Sequence, residues 1–156
     1  MSTTQKISCV LWVLGGLGVL LAAFSSNWMD GDIGLRGASG HPWSEIEAHL
    51  GAARSADLET AAFLGPVTFW GSLLVVISAL PAAWYFRYGK NIGRLWVALV
   101  AAAILATGIG FAFSIHEAKL HYPAPVFFVA VSLVLIGSLV GFAEPKQDGR
   151  SKPLEF

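Results

Sequence analysis

Four histidines are the residues of this 156-residue chain best suited to metal chemistry. His41 and His49 lie in one polar stretch, and His116 and His121 lie in another. Imidazole is the commonest metal ligand in proteins, and a carboxylate such as Glu45 could complete a site. The interval between His116 and His121 matches neither the His-Glu-x-x-His zinc pattern nor one face of a helix. The histidines therefore predict a metal or cofactor site only if both stretches converge, and otherwise we expect no cofactor.

Other reactive residues are too few or too close together for the usual membrane enzymes. The single cysteine, Cys9, cannot form an internal disulfide or a cysteine-rich metal site. Asp30 and Asp32 share one glycine-rich stretch, whereas a catalytic aspartate pair normally converges from separate segments. The long apolar segments carry no internal charge or histidine, which disfavours proton-coupled transport and helix-bound haem. Arg94 stands at a segment end, where we expect its side chain to reach out to the interface.

The composition is that of an integral membrane protein. Hydrophobic side chains make up 55% of the chain and charged ones 13%, whereas a typical soluble domain carries about 25% charged residues. The ten Lys and Arg balance the ten Asp and Glu, so the charge gives no reason to expect a nucleic-acid partner. A helix needs about 20 apolar residues to span a membrane. Four stretches meet that length: residues 7–29, 61–86, 95–115 and 126–143.

The predicted fold is an all-α integral membrane protein, an antiparallel, left-handed bundle of four spanning helices in a single domain, residues 1–143. The long connection at residues 30–60 is predicted to form an outer cap. Its glycine-rich first part predicts turns, with room for a short strand. Ser44 and Glu47 then form a capping-box pattern, which predicts a short amphipathic helix running to about Ala53. We expect this helix to rest on the membrane surface or on the tops of the spanning helices.

Positive charge sets the predicted orientation, because cytoplasmic loops carry the excess of Lys and Arg. Seven basic residues fall on one side of the four segments: Lys6, Arg87, Lys90, Arg94, Lys146, Arg150 and Lys152. We therefore place both termini, with a flexible tail at residues 144–156, in the cytoplasm of a multi-pass protein of a bacterial inner membrane or a plasma membrane. The first segment has some features of a cleaved signal peptide. Its apolar run is longer than the usual length of about 7–15 residues, so we expect it to be retained.

Small residues are frequent in all four segments, and Gly137 and Gly141 form a Gly-x-x-x-Gly pattern in the last one. Helix faces made of small residues let helix backbones approach closely in lipid, where packing drives helix association. They serve either the bundle of this chain or contact with a partner, and we expect most of them to serve the bundle. Gly137 and Gly141 are nevertheless candidate interaction residues, and so is Trp43 in the cap.

Trp28 follows the first segment, and Gly34 and Leu35 come shortly after it in the long connection. With four helices, cytoplasmic termini and a short second outer loop, the chain resembles the superfamily of claudins, peripheral myelin proteins and calcium-channel γ subunits. The hallmark of that superfamily is a Trp after the first helix, then Gly-Leu-Trp and a Cys pair that holds a small sheet. Here Arg36 replaces the second Trp, and the Cys pair is absent. The resemblance implies adhesion, barrier or accessory-subunit roles and makes Trp28, Gly34 and Leu35 candidate interaction residues.

The leading hypothesis is a non-catalytic small tetraspan protein. It would be a scaffold or accessory subunit that binds another integral membrane protein, or a second copy of itself, through small-residue helix faces and the cap. One alternative is a subunit or enzyme with an outer-face metal or cofactor site at the histidines. Another is a lipid-binding membrane protein. Membrane lipids are expected partners in every case, and enzymatic activity stays open.

Overall fold

The computed structural model describes residues 3–29, 32–38, 41–50, 55–87, 93–115 and 120–140. The elements in chain order are α1 (Thr3–Phe24), β1 (Ile33–Gly34), β2 (Gly37–Ala38), β3 (His41–Pro42), α2 (Trp43–Leu50), α3 (Ser55–Arg87), α4 (Arg94–Ser114) and α5 (Pro123–Val140). Four of these helices, α1, α3, α4 and α5, are long and apolar enough to cross a membrane. This confirms the prediction of four helices able to span a membrane and fits a multi-pass membrane protein. The last of them begins at Pro123 instead of residue 126, and its predicted end at residue 143 lies outside the described residues. The predicted tail at residues 144–156 lies outside the described residues.

The spanning helices pack as neighbours, α1 against α5, α5 against α4, α4 against α3 and α3 against α1. Small residues make the seam between α1 and α5 tight. A Cβ atom added at Gly15 would lie 2.7 Å from the Ala130 carbonyl oxygen, and one at Gly18 would lie 2.8 Å from the Ala130 Cβ. Gly137 packs in the same way against Trp12, whose ring atoms would lie 3.0 Å and 3.2 Å from an added Cβ. In lipid, helix association depends on such close contact, so these glycines serve the bundle itself.

α1 ends at Phe24, five residues before the predicted boundary at residue 29. The last carbonyls of a helix have no partner within it, and here the Ala22 carbonyl accepts a hydrogen bond from the Trp28 indole at 2.7 Å. The Trp28 backbone N–H donates to the Ile33 carbonyl at 3.0 Å. The chain therefore leaves the helix because Trp28 folds back over its end and pairs with the strand that follows.

The first connection, residues 25–54 between α1 and α3, contains a small antiparallel sheet in the order β1-β2-β3. Ile33 pairs with Ala38, and Ala38 pairs in turn with His41. Gly37 has a φ of +106°, and a Cβ atom there would lie 2.6 Å from the His41 carbonyl oxygen. Only glycine fits that position without strain. The glycine-rich stretch was predicted as turns with a short strand, and the structure has three strands of two residues each.

Backbone pairing joins the first connection to the short segment between α4 and α5. Met29 forms isolated bridges with Ile33 and with Leu120. The His121 N–H donates to the Trp28 carbonyl at 2.8 Å. The two connections at this end of the bundle, which we call the connection end, therefore support each other.

The predicted short helix is present as α2, which begins at Trp43, so Ser44 lies within it. α3 begins at Ser55, six residues before the predicted start at residue 61. Its first turns carry polar residues, and hydropathy alone does not assign such residues to a spanning helix. A Cβ atom at Gly65 would lie 2.6 Å from the Leu35 carbonyl oxygen and 2.9 Å from the Trp43 indole nitrogen. Gly65 therefore marks the level of the first connection. At 1.5 Å per residue, the part of α3 before it extends about 15 Å beyond that level.

Candidate functional site

The aromatic residues of the first connection are buried against the spanning helices. Trp28 is 0% exposed and Trp43 is 3% exposed. The Trp28 ring packs edge to face on Phe111 of α4 and Phe127 of α5, with ring centroids 6.0 Å and 5.3 Å away. The Trp43 ring packs in the same manner on Phe111 at 5.9 Å. The Trp43 indole donates to the Leu35 carbonyl at 3.1 Å. The indole N–H of each tryptophan is therefore hydrogen-bonded to a backbone carbonyl.

Five of the six predicted interaction residues lie inside this chain. Leu35 is 0% exposed, and an added Cβ at Gly34 would lie 2.5 Å from the Ser25 carbonyl oxygen. Trp28 and Trp43 are the buried rings just described, and Gly137 packs against α1. The sixth, Gly141, lies outside the described residues. The five buried residues contact their own chain, so any part in recognition would come from the shape of the surface that they support.

Four acidic residues of the first connection and of the start of α3 have exposed side chains. They are Asp32, Glu45, Asp57 and Glu59, the first two on the first connection and the others in the first turns of α3. We call these four residues the acidic face. Asp32 and Glu45 belong to the connection that the two tryptophans fasten, and Asp57 and Glu59 belong to α3, so each is carried by a packed part of the chain.

The predicted metal ligands are only partly visible. His41 is exposed on β3, and His121 is half-buried just before α5. His49 lies in α2, but its side chain is outside what the structure describes, and so is the whole of His116. Among the described residues, no group of three or more His, Cys, Asp or Glu is placed to hold a metal ion. The metal site therefore stays a prediction.

The opposite end of the bundle holds a buried arginine. Arg94, the first residue of α4, is 1% exposed. Its guanidinium donates to the Ser8 hydroxyl of α1 at 3.3 Å and to the Gly137 carbonyl of α5 at 3.4 Å. The expectation that Arg94 reaches out to the interface is therefore wrong. Gly93, with a φ of +97°, precedes the helix, and the Arg94 side chain runs between α1 and α5 to reach these two acceptors.

Polar groups inside the spanning helices bond to one another. Near Arg94, the Trp12 indole donates to the Ser138 hydroxyl at 3.0 Å, which in turn donates to the Val134 carbonyl at 2.9 Å. Between α3 and α4, the Thr68 hydroxyl donates to the Thr107 hydroxyl at 3.1 Å. Interhelical hydrogen bonds of this kind stabilise membrane bundles. The sequence shows these residue types, but their spacing on different helices does not show which of them meet.

No family model, curated protein or solved structure matches this chain. Its candidate function therefore depends on its own geometry.

Proposed function

We propose that this chain is a non-catalytic, four-span scaffold or accessory subunit that binds another integral membrane protein through its acidic face. The observation that carries the proposal is the burial of Trp28, Leu35 and Trp43 against the helices. Those side chains fix the first connection, and a binding surface gains affinity when its shape is set before the partner arrives. Among the described residues, the glycines of the seam between α1 and α5 pack tightly against the chain's own helices, which leaves the acidic face as the better candidate for a partner surface.

The proposal includes an antiparallel bundle with the first connection as an outer cap. Two sets of contacts support it. Ser8, Arg94 and Gly137, from the start of α1, the start of α4 and the end of α5, meet at one end. Trp28 and Phe111, from beyond the end of α1 and from the last turn of α4, meet at the other. The excess of Lys and Arg on the Arg94 side supports cytoplasmic termini, in a bacterial inner membrane or a plasma membrane.

The claudin-like part of the proposal rests on the topology and on Trp28, Gly34 and Leu35. In that superfamily a disulfide holds the small sheet of the first loop. This chain has one cysteine. Its small sheet is fastened instead by Trp28 and Trp43, which donate hydrogen bonds to the Ile33 and Leu35 carbonyls, and by Met29, which bridges both Ile33 and Leu120. A claudin-like role is adhesive, barrier-forming or accessory, and all three require a fixed outer surface.

The acidic face also indicates the chemistry of a partner. Complementary charge steers association and selects among partners more than it adds affinity. We therefore expect the partner to present Lys and Arg in its outer loops. Because the four carboxylates lie at an exposed surface, salt should weaken the association.

The test is purification from the native membrane in a gentle detergent, with mass spectrometry of every protein that travels with the chain. We expect a stoichiometric membrane partner with the wild type. The variant D32N/D57N/E59Q should lose most of it, whereas K6Q, which alters an exposed charge at the other end of α1, should keep it. A wild type that purifies alone, or a partner retained equally by the triple variant, contradicts the proposal.

A further inference from the structure

Arg36 occupies an unusual position at the connection end. It is exposed, in the turn between β1 and β2, and its guanidinium carbon lies 5.3 Å from the centre of the Phe69 ring of α3. Phe69 is 3% exposed, so the ring is a fixed support. Across the described ranges, no carboxylate forms an ion pair with Arg36. A cation–π contact engages the positive charge of the guanidinium and leaves N–H donors for an acceptor.

Two exposed aromatic side chains flank the Phe69 ring. Phe24, the last residue of α1, packs edge to face on Phe69 at 5.2 Å, and Trp70 packs on it at 5.4 Å. Phe24 is 60% exposed and Trp70 is 66% exposed, although both belong to helices able to span a membrane. Phe24 ends α1, and Trp70 lies five residues, about 7.5 Å, further along α3 than Gly65, which marks the level of the first connection. The end of a spanning helix lies near the lipid–water interface, and Arg36 belongs to the polar connection beyond that end. Arg36 therefore lies at the depth of lipid headgroups, beside an apolar surface at the depth of acyl chains.

We propose that Arg36, Phe24 and Trp70 bind one anionic phospholipid in the leaflet at the connection end. The phosphate accepts hydrogen bonds from the Arg36 guanidinium, whose fork of N–H groups matches phosphate geometry. The acyl chain lies along Phe24 and Trp70. Charge complementarity selects this occupant, because an apolar helix from a partner would cover the rings and leave the arginine without a counter-ion. This site does not depend on the proposed protein partner, since it uses none of the residues of the acidic face.

The test is native mass spectrometry of the full chain titrated with dioleoylphosphatidylglycerol or dioleoylphosphatidylcholine. We expect the wild type to prefer the anionic lipid. One basic side chain near an anionic lipid surface is worth about a fivefold change in binding constant. R36Q should therefore reduce the preference about fivefold. R36K should reduce it less, because lysine keeps the positive charge and lacks only the paired N–H groups of the guanidinium. K6Q, the control at the other end of α1, should leave most of the preference intact.

A second pair of variants locates the acyl chain. W70A should weaken binding of both lipids in similar proportion. The matched control is F113A, because Phe113 is an equally exposed ring that lines an open apolar groove of about 540 Å³ between α4 and α5. If F113A has the larger effect, the lipid lies in that groove and the proposal is wrong.

Three further results would overturn the proposal. One is an anionic preference that R36Q leaves unchanged, or that K6Q lowers by the same factor. The second is inorganic phosphate that binds as well as the anionic lipid, since that would show an anion site without an acyl chain. The third is loss of a protein partner from R36Q with lipid binding intact. Because Arg36 and Trp70 are exposed, the thermal stability of both variants should stay close to that of the wild type, which separates lost binding from lost folding.

Discussion

The two ends of the bundle are closed in different ways. At the connection end, the rings of Trp28 and Trp43 pack on Phe111, and each indole N–H reaches a backbone carbonyl. At the other end, a single guanidinium, that of Arg94, donates to α1 and α5, with Ser8 as one acceptor. The first closure buries two large aromatic rings, and the indole hydrogen bonds fix how those rings are oriented. The second centres on a charge that must stay hydrogen-bonded, with the buried Trp12 ring nearby. The connection end should therefore contribute more stability and depend more on side-chain size.

Replacing Trp28 by alanine should have the largest effect. Loss of a buried aromatic side chain costs about 3–5 kcal/mol of the free energy of unfolding, because it removes apolar contacts and leaves a cavity. Unfolding in mixed micelles with sodium dodecyl sulfate, followed by circular dichroism, would measure it. W70A is the matched control, since that ring is 66% exposed. Equal losses from the two variants would mean that Trp28 does not fasten the connection.

Replacing Arg94 by leucine should have an intermediate effect. It removes a buried donor from two helices, and a hydrogen bond that involves a charged group is worth about 1.5–3 kcal/mol. The removal of a buried charge offsets part of that loss, so we expect R94L to cost less than W28A in the same assay. K6L removes an exposed charge at the same end and should change stability little. An R94L loss above that of W28A would reverse the comparison of the two ends.

Two neighbouring glycines test the seam that joins the ends. An alanine Cβ at Gly15 would press on the Ala130 carbonyl at 2.7 Å, whereas the nearest atom to one at Gly16 is a Val76 methyl at 3.9 Å. Overpacking lowers the free energy of unfolding by about 1–3 kcal/mol. The higher helix propensity of alanine raises it by about 0.5–1 kcal/mol. We therefore expect G15A to lose about 1–2 kcal/mol and G16A to be neutral or slightly stabilised. If G16A lost as much as G15A, the seam would not be as tight as described.

The sequence predicted the four spanning helices well, because a long apolar run has few other solutions in a membrane. It placed both ends of the first connection poorly. Residues 25–29 continue an apolar run, and hydropathy does not show that Trp28 turns back over the helix. The start of α3 was predicted late for the opposite reason, since Asp57 and Glu59 are polar and still helical.

The candidate site was harder to predict than the fold. A tryptophan just beyond a helix end can be an interfacial anchor or part of a packed core. The contacts of Trp28 with Phe111 and Phe127 show that it is part of the core. Arg94 was expected to reach the interface because an arginine at a segment end usually does. Its burial depends on Ser8, which lies far away in the sequence and carries no signal of its own. The stacking of Arg36 on Phe69 is equally non-local.

The first connection is a packed layer that holds Asp32 and Glu45, its part of the acidic face, in place. Hydrogen–deuterium exchange of the wild type in lipid nanodiscs, compared with W43A, tests this packing most directly. Backbone N–H groups of Trp28, Met29 and His121 donate hydrogen bonds within this layer and should exchange slowly, as hydrogen-bonded N–H groups of packed elements do. W43A should speed their exchange while α1 and α5 stay protected. Exchange of the wild-type connection as fast as that of an unstructured loop would contradict the account.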